Sequence, residues 1–219
     1  MIVTAVEEYT KNKYKIYLND AFAFVLYKGD LRHFDIAPGR ELTEEELNEI
    51  RGEVLTKRAK MRAMHLLESR DYTEDAMRRK LREGLYPQDV IQEAIDYVKH
   101  FHYIDDRRYA MSFIESHAQS LTGRQISEKL RMKGISQELI AECLAEHEEE
   151  NGDLEEELLR KQMRSKVVRL TGRDQESKEP DTSARQKLFA SFYRKGFSLS
   201  AISKVYEEVL TEILTENTT

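Results

Sequence analysis

The chain has a single cysteine, Cys143, among 219 residues. No internal disulfide is then possible, and a reducing compartment fits. No apolar run approaches the roughly 20 residues that cross a bilayer, so no membrane association is expected. The opening residues, MIVTAVEEYTK, have neither a basic start nor a long apolar centre, so they do not read as a secretory signal. These absences point to a cytoplasmic protein. The formal net charge is −6, so no overall basic balance announces nucleic acid. Catalytic signatures are missing as well. There is no phosphate-cradling glycine loop, no nucleophile elbow and no metalloprotease helix motif. The expectation is a protein that is not an enzyme and takes no cofactor.

Two small clusters invite chemistry and lose it on inspection. His100 and His102 flank Phe101, and His-x-His can ligate a metal. No cysteine lies nearby, and a linker that packs its two aromatic residues explains the stretch without one. Asp105 and Asp106 could pair as catalytic acids, but acids at the positive end of a helix dipole explain them equally.

What is present is a repeat. Residues 77–98, 126–147 and 188–209 align without gaps, and their apolar columns agree. Met77, Ile126 and Leu188 share a column; Leu81, Leu130 and Phe192 share the next. Tyr86, Ile135 and Phe197 follow, then Val90, Leu139 and Ala201, then Ile91, Ile140 and Ile202. Ala94, Cys143 and Val205, then Ile95, Leu144 and Tyr206, complete the set, which makes Cys143 a small core residue. The spacing is helical, with a break at Gly134 and Gly196, where glycine can take the left-handed turn that ends a helix. Leu85 holds that column in the first copy, with Gly84 before it. Ser136 and Ser198 suit the N-cap of the next helix, and Pro87 suits a first turn. A further amphipathic helix precedes each pair, so each unit has three helices. Ala59, Ala63, Met64, Leu66 and Leu67 mark the first leading helix, and Tyr109, Ala110, Phe113 and Ile114 the second. Leu154, Leu158, Leu159, Met163, Val167 and Leu170 mark the third.

The N-terminus has a different period. Tyr14, Ile16 and Leu18 alternate with neighbours, Asn19-Asp20 makes a compact turn, and Phe22, Phe24 and Leu26 alternate again. That is a β-hairpin, to which residues 2–9 supply a third strand. A lone hairpin is marginal in water, so a third strand or a docking surface is required. Gly29-Asp30 and Pro38-Gly39 punctuate the exit. Thr43 to Glu46 form a capping box. The helix it opens carries Leu47 and Ile50, and either runs on toward Ser69 or breaks at Gly52.

The expected fold is therefore mainly α: an elongated tandem array of three three-helix repeats with a small three-strand segment in front. The boundaries read as 1–40 for the β extension and 41–104 for a linker helix and repeat one. Repeat two covers 105–150 and repeat three 151–219, with a polar loop at 171–183 and a frayed tail after Leu214. Charge is segregated along the array. Basic tracts at 57–133 and 161–195 flank an acidic one at 138–160. Its residues 146–157 read as a solvated helix end and loop in preference to an acidic docking surface.

Cations recur at fixed places. Arg78, Arg79, Lys80 and Arg82 cluster in copy one, and Arg124, Lys129, Arg131 and Lys133 in copy two. Arg185, Lys187, Arg194 and Lys195 do so in copy three. Lys80 and Lys129 share a column, as do Arg82 and Arg131, and Lys133 and Lys195. A cation returning in every unit makes a stripe that can track a polyanion. The alternative is that these side chains pair with neighbouring glutamates on an ordinary helical surface.

Two features together resemble a known family. One is the triplicated unit with K-L-x-x-x-G, here Lys129-Leu130-Arg131-Met132-Lys133-Gly134. The other is the run Tyr103-Ile104-Asp105-Asp106-Arg107-Arg108-Tyr109-Ala110. Both are similar to bacterial regulatory proteins of the RecX family, over residues 55–215. Asp106, Arg108, Tyr109 and Ala110 match the most specific part of that pattern. Copy three departs most, with Phe192-Tyr193 where the others have Leu-Arg. The resemblance implies a monomeric, non-enzymatic partner of the RecA recombinase filament, limiting filament growth, strand exchange and coupled ATP hydrolysis. Arg107 and Arg108 then join the candidate contacts, while Asp106, Tyr109 and Ala110 read as structural. The competing reading is a helical protein that binds single- or double-stranded DNA directly, through helix-turn-helix-like repeats.

Overall fold

The computed structural model describes residues 1–151, 154–171 and 181–216. The chain divides into two compact units, Met1–Asp106 and Arg107–Thr219.

The first unit opens with an antiparallel meander of β1 (Val3–Thr10), β2 (Lys13–Leu18) and β3 (Ala21–Tyr27). Asn19 and Asp20 both take positive φ, 47° and 67°, as the tight turn between twisted strands requires. The outer edge of β1 is not left bare. Val3 N–H donates to Arg40 O at 2.8 Å, Gly39 N–H to Val3 O at 2.8 Å and Leu42 N–H to Met1 O at 2.7 Å. The returning chain thus covers a strand edge that would otherwise invite pairing.

Gly29 and Asp30 do more than punctuate the exit: they lie inside a short helix, α1 (Lys28–His33). Asp30 accepts the Tyr27 N–H at 2.7 Å. It also accepts both ends of the Arg58 guanidinium, which sits 4.4 Å from the Tyr27 ring. A charged fork from elsewhere in the unit holds the helix where local propensity suggests a turn.

Helix α2 (Glu44–Glu49) starts at the expected capping box. Thr43 Oγ1 accepts the Glu46 N–H at 3.2 Å and Glu46 accepts the Thr43 N–H at 2.9 Å. Gly52 does not break the helix, which continues through a π-helical stretch, Ile50–Thr56, into α3 (Lys57–Leu67). Helices α4 (Glu74–Glu83) and α5 (Gln88–His100) complete the unit, with Pro87 at the N-cap of α5 rather than inside it. Sheet and helices share one core containing Val3, Phe24, Ile50, Leu81, Ile91 and Val98. The three strands thereby find the apolar surface they need.

The second unit holds two helical triplets. Helices α6 (Asp106–His117), α7 (Gly123–Met132) and α8 (Gln137–Asn151) close on Ala110, Ile114, Ile126, Leu130, Ile140 and Cys143. Helices α9 (Leu154–Thr171), α10 (Thr182–Lys195) and α11 (Leu199–Glu216) close on Leu159, Met163, Phe192, Ile202, Val205 and Tyr206. Thr122 ties the triplets together. Its Oγ1 accepts the Gln125 N–H at the start of α7 and donates to Lys195 O at 2.6 Å. Most of the expected polar loop, 172–180, lies outside the described residues, as do residues 217–219. Helix α10 begins within the span assigned to that loop.

The aligned columns point inward together. Met77, Ile126 and Leu188 are buried, as are Leu81, Leu130 and Phe192, and Ile91, Ile140 and Ile202. The turn between the second and third helix of each copy passes through one left-handed residue, with φ 60° at Leu85, 86° at Gly134 and 111° at Gly196. Leu85 adopts the conformation of its column although its Cβ makes that cost about 1–2 kcal/mol.

At Gly196 a Cβ would lie 2.8 Å from the Arg124 Cβ, whereas nothing lies within 4 Å of one added at Gly52. Gly196→Ala should therefore lose about 1–3 kcal/mol of stability in urea unfolding, while Gly52→Ala should be neutral or gain up to about 1 kcal/mol. Equal losses at the two sites would contradict this. A second expectation concerns acid. Hydrogen bonds from Arg40, then from the Thr43 N–H, hold the Glu46 carboxyl down to about 2. A carboxyl depressed on folding contributes stability above its ordinary value of 4.5, and that contribution is lost as pH falls toward about 2. Glu46→Gln should flatten this part of the melting-temperature profile; superimposable profiles for the two proteins would refute it.

Candidate partner and nucleic-acid interface

The three basic faces differ in how their charge is met. On α4, neighbouring carboxylates answer most of it. Arg78 bonds Glu74 at 2.8 Å and the Gln92 side-chain oxygen at 2.9 Å. Arg79 lies 3.4 Å from Asp75, and Lys80 pairs with Glu83 at 2.6 Å. Glu74 also accepts from Lys99 at 2.6 Å. Burial pushes the Glu74 carboxyl up, but the bonds from Lys99 and Arg78 outweigh it and hold it below the usual range. Arg82 is exposed and, among the described residues, has no ion pair. The spacing behind these pairs is the ordinary three- and four-residue interval along a helix.

On α7 the same columns are left open. Lys129 and Arg131 are exposed, and among the described residues neither has a carboxylate partner. Arg124 is exposed at the start of α7, where its stem packs against the Gly196 turn. Lys133 lies 5.5 Å from the Tyr109 ring and 5.9 Å from that of Phe113, so its ammonium rests over aromatic faces. In the third triplet, Lys195 bonds the side-chain oxygen of Gln162 and sits 5.4 Å from the Phe192 ring. Among the described residues Arg194 donates only to Ala190 O, on its own helix. Arg185 is different, pairing with Glu207 at 2.7 Å.

The junction residues have packing and capping roles. Asp106 Oδ1 accepts the Glu74 N–H at 2.9 Å, and Thr73 Oγ1 accepts the Ala76 N–H at 3.2 Å. Two of the free donors at the start of α4 are satisfied in this way. Burial raises the Asp106 carboxyl above its ordinary value, with Glu74 and Asp105 adding repulsion, against the pull of the Glu74 N–H and Lys99. Ala110 is fully buried, and Tyr109 is half-buried beneath Lys133. Arg107 is drawn to Glu146 and to Glu142, which lies 3.3 Å away, both on α8. Arg108 is exposed.

One expectation is overturned. The linker does not pack its two aromatic residues: Phe101 is 50% and Tyr103 44% exposed, and Ile104 is buried instead. The reason is the chain reversal at the end of α5. His102 takes a left-handed φ of 56°, and the Tyr103 N–H bonds back to Val98 O. That turns Ile104 inward and leaves Phe101 stacked edge-on with Tyr97 and His100, each 4.9 Å away. Among the described residues no group of three potential metal ligands comes together. Part of the acidic stretch lines an open groove. Glu148, Glu155 and Glu156 stand beside Leu144, Leu159 and Phe197 in a space of about 460 Å³.

Two further cations fall within the basic tract at 161–195 but in none of the aligned columns. Lys166 and Arg169 sit on α9; Lys166 reaches Ser191 on α10, and Arg169 donates to Ser165 O on its own helix. Only the helix packing brings Lys166 there. Among the described residues no helix is long and apolar enough to cross a membrane.

Comparison with known proteins bears on this arrangement. Residues 59–97 match the family model described as RecX, first three-helix domain, and residues 105–144 match RecX, second three-helix domain. A "Regulatory protein RecX" from Streptococcus sanguinis is 28% identical over 99% of this chain and 80% of its own length. Another of that name, from Clostridioides difficile, is 25% identical over 95% of this chain and 96% of its own. The crystal structure of a regulatory protein RecX superposes with a TM-score of 0.63 at 24% identity, covering 94% of this chain and 98% of that one, a likeness of fold. Two matched three-helix domains and relatives of one kind along nearly the whole length agree: the chain is similar in sequence and in fold to regulatory proteins RecX.

Proposed function

We propose that the chain is a non-enzymatic regulator that binds the RecA recombinase and its nucleoprotein filament. It restrains filament growth, strand exchange and the coupled ATP hydrolysis. It does so through repeats bounded at 41–104, 105–150 and 151–219. The observation that carries this reading is the match of residues 59–97 and 105–144 to two successive RecX domains. The surface chemistry supports it. Lys129 and Arg131 are exposed, and among the described residues no carboxylate answers them. A filament that presents both protein and phosphate would meet such cations without first breaking an ion pair. Arg82 and Arg124 join them as contacts, whereas Arg78, Arg79, Lys80 and Arg107 are already engaged within the fold.

The second reading, direct DNA binding, draws on the same uncompensated cations and would give an affinity that falls steeply with salt. The primary reading is tested with RecA itself. Saturating protein should depress RecA-dependent strand exchange and the DNA-coupled ATPase. Lys129→Glu with Arg131→Glu should raise the concentration needed by about tenfold, through lost charge complementarity. Unchanged strand exchange and ATPase at saturation would sink it.

A further inference from the structure

We propose that the third helical triplet carries a phosphate-binding site of its own, built by Lys166 and Arg169 of α9 with Arg194 and Lys195 of α10. Its ligand is the backbone of single-stranded nucleic acid.

One column of cations has a gap. Copies one and two place Lys80 and Lys129 at the same position, and copy three has Ser191 there. Ser191 is not simply a lost cation. Its Oγ accepts Lys166 Nζ at 2.9 Å, and that ammonium lies 4.7 Å from the centre of the Phe192 ring. The charge that α10 lacks is delivered from α9. Lys195 Nζ lies 5.4 Å from the same ring, so two ammonium groups share one aromatic side chain.

Among the described residues none of the four cations is neutralised. Lys166 and Lys195 are held by neutral oxygens, those of Ser191 and Gln162. Arg169 and Arg194 donate to Ser165 O and Ala190 O. Among the described residues no carboxylate pairs with any of them. Many cations elsewhere are paired, Arg58 with Asp30, Arg78 with Glu74, Arg160 with Glu208 and Lys204 with Glu156, although among the described residues Arg82, Lys129 and Arg131 are not. In a protein with 41 acidic against 35 basic residues, four adjacent uncompensated cations run against composition. Burial, then repulsion from Lys195, Arg169 and Arg194, pushes Lys166 below the ordinary lysine range. A cluster that repels itself is stabilised by whatever anion binds it.

The neighbouring aromatic selects nucleic acid over a small anion. Tyr193 is 55% exposed and precedes Arg194 directly. It stands in the column where the other copies have Arg82 and Arg131. An exposed ring next in the chain to one of these cations, Arg194, offers the pairing that single strands use, with a base stacked on the ring and phosphates on the charges.

The site rests on the filament reading and names its polyanion, and its test leaves RecA out. The full-length protein is titrated against a fluorescein-labelled oligothymidylate across a salt series. Lys166→Gln with Arg169→Gln should weaken binding about tenfold and make the logarithmic salt slope shallower by about 1.4, or 0.7 for each phosphate contact. Tyr193→Ala should weaken binding with the slope unchanged. Adding Ser191→Lys to Lys166→Gln should restore affinity, because the column then carries its own cation. Melting temperatures of the charge variants should hold or rise as the repulsion is relieved, which separates lost contacts from lost folding. Unchanged affinity and slope in the double variant would overturn the site. Failure of Ser191→Lys to rescue would overturn the role given to Lys166. Tighter binding to phosphatidylglycerol vesicles than to the oligonucleotide, lost with the same substitutions, would overturn the choice of ligand. A failure of the RecA reading would look different: the unaltered protein would not inhibit RecA, whatever its affinity for the strand.

Discussion

Each helical triplet turns on one left-handed residue. Between its second and third helices the chain must reverse while keeping Leu81, Leu130 or Phe192 packed on the succeeding helix. Only a backbone at positive φ closes that reversal in so few residues. Gly134 and Gly196 reach it freely, and Leu85 reaches it under strain. The constraint also places the cations. Lys80 and Arg82, Lys129 and Arg131, and Arg194 and Lys195 all lie in the last turns before the reversal. There a positive charge complements the negative end of the helix dipole. A buried packing demand thus brings basic side chains to the same end of α4, α7 and α10.

What separates the triplets is compensation. Glu74, Asp75 and Glu83 answer Arg78, Arg79 and Lys80 of α4, leaving Arg82 unpaired among the described residues, and Glu74 is shared by Arg78 and Lys99. Glu142 and Glu146 answer Arg107. Lys129, Arg131 and the group around Lys166 have no such answer among the described residues. Exposed pairs are worth little to stability, but they decide which charges remain available to a partner. By that criterion the cations left open to a partner lie in the second unit, on α7 and the α9–α10 pair, more than in the first.

Much of this was legible in the residues. The columns could be read because helical periodicity repeats the same buried positions, and Ile91, Ile140 and Ile202 or Ala94, Cys143 and Val205 have no other reason to coincide. The hairpin could be read from its period of two and from Asn19-Asp20. Other features depend on contacts distant in sequence. Helix α1 exists because Arg58 reaches Asp30. The exposure of Phe101 and Tyr103 comes from a left-handed His102, a residue type that gives little warning of it. Lys166 was missed as a site residue because the repeat column it serves reads Ser191, and its charge arrives from a neighbouring helix. Whether a given lysine is paired depends on rotamers and on partners up to 48 residues away, as for Lys204 and Glu156, which periodicity does not encode.

The central claim is that charge left uncompensated at the ends of equivalent helices is the surface a filament meets. Amide hydrogen exchange, with and without RecA assembled on single-stranded DNA, tests it most directly. The expected result is new protection over α7 and the α9–α10 pair, with less change over α4, where all the cations but Arg82 are already paired. Protection confined to the N-terminal sheet and α4, with α7 and α10 exchanging as in the free protein, would contradict it.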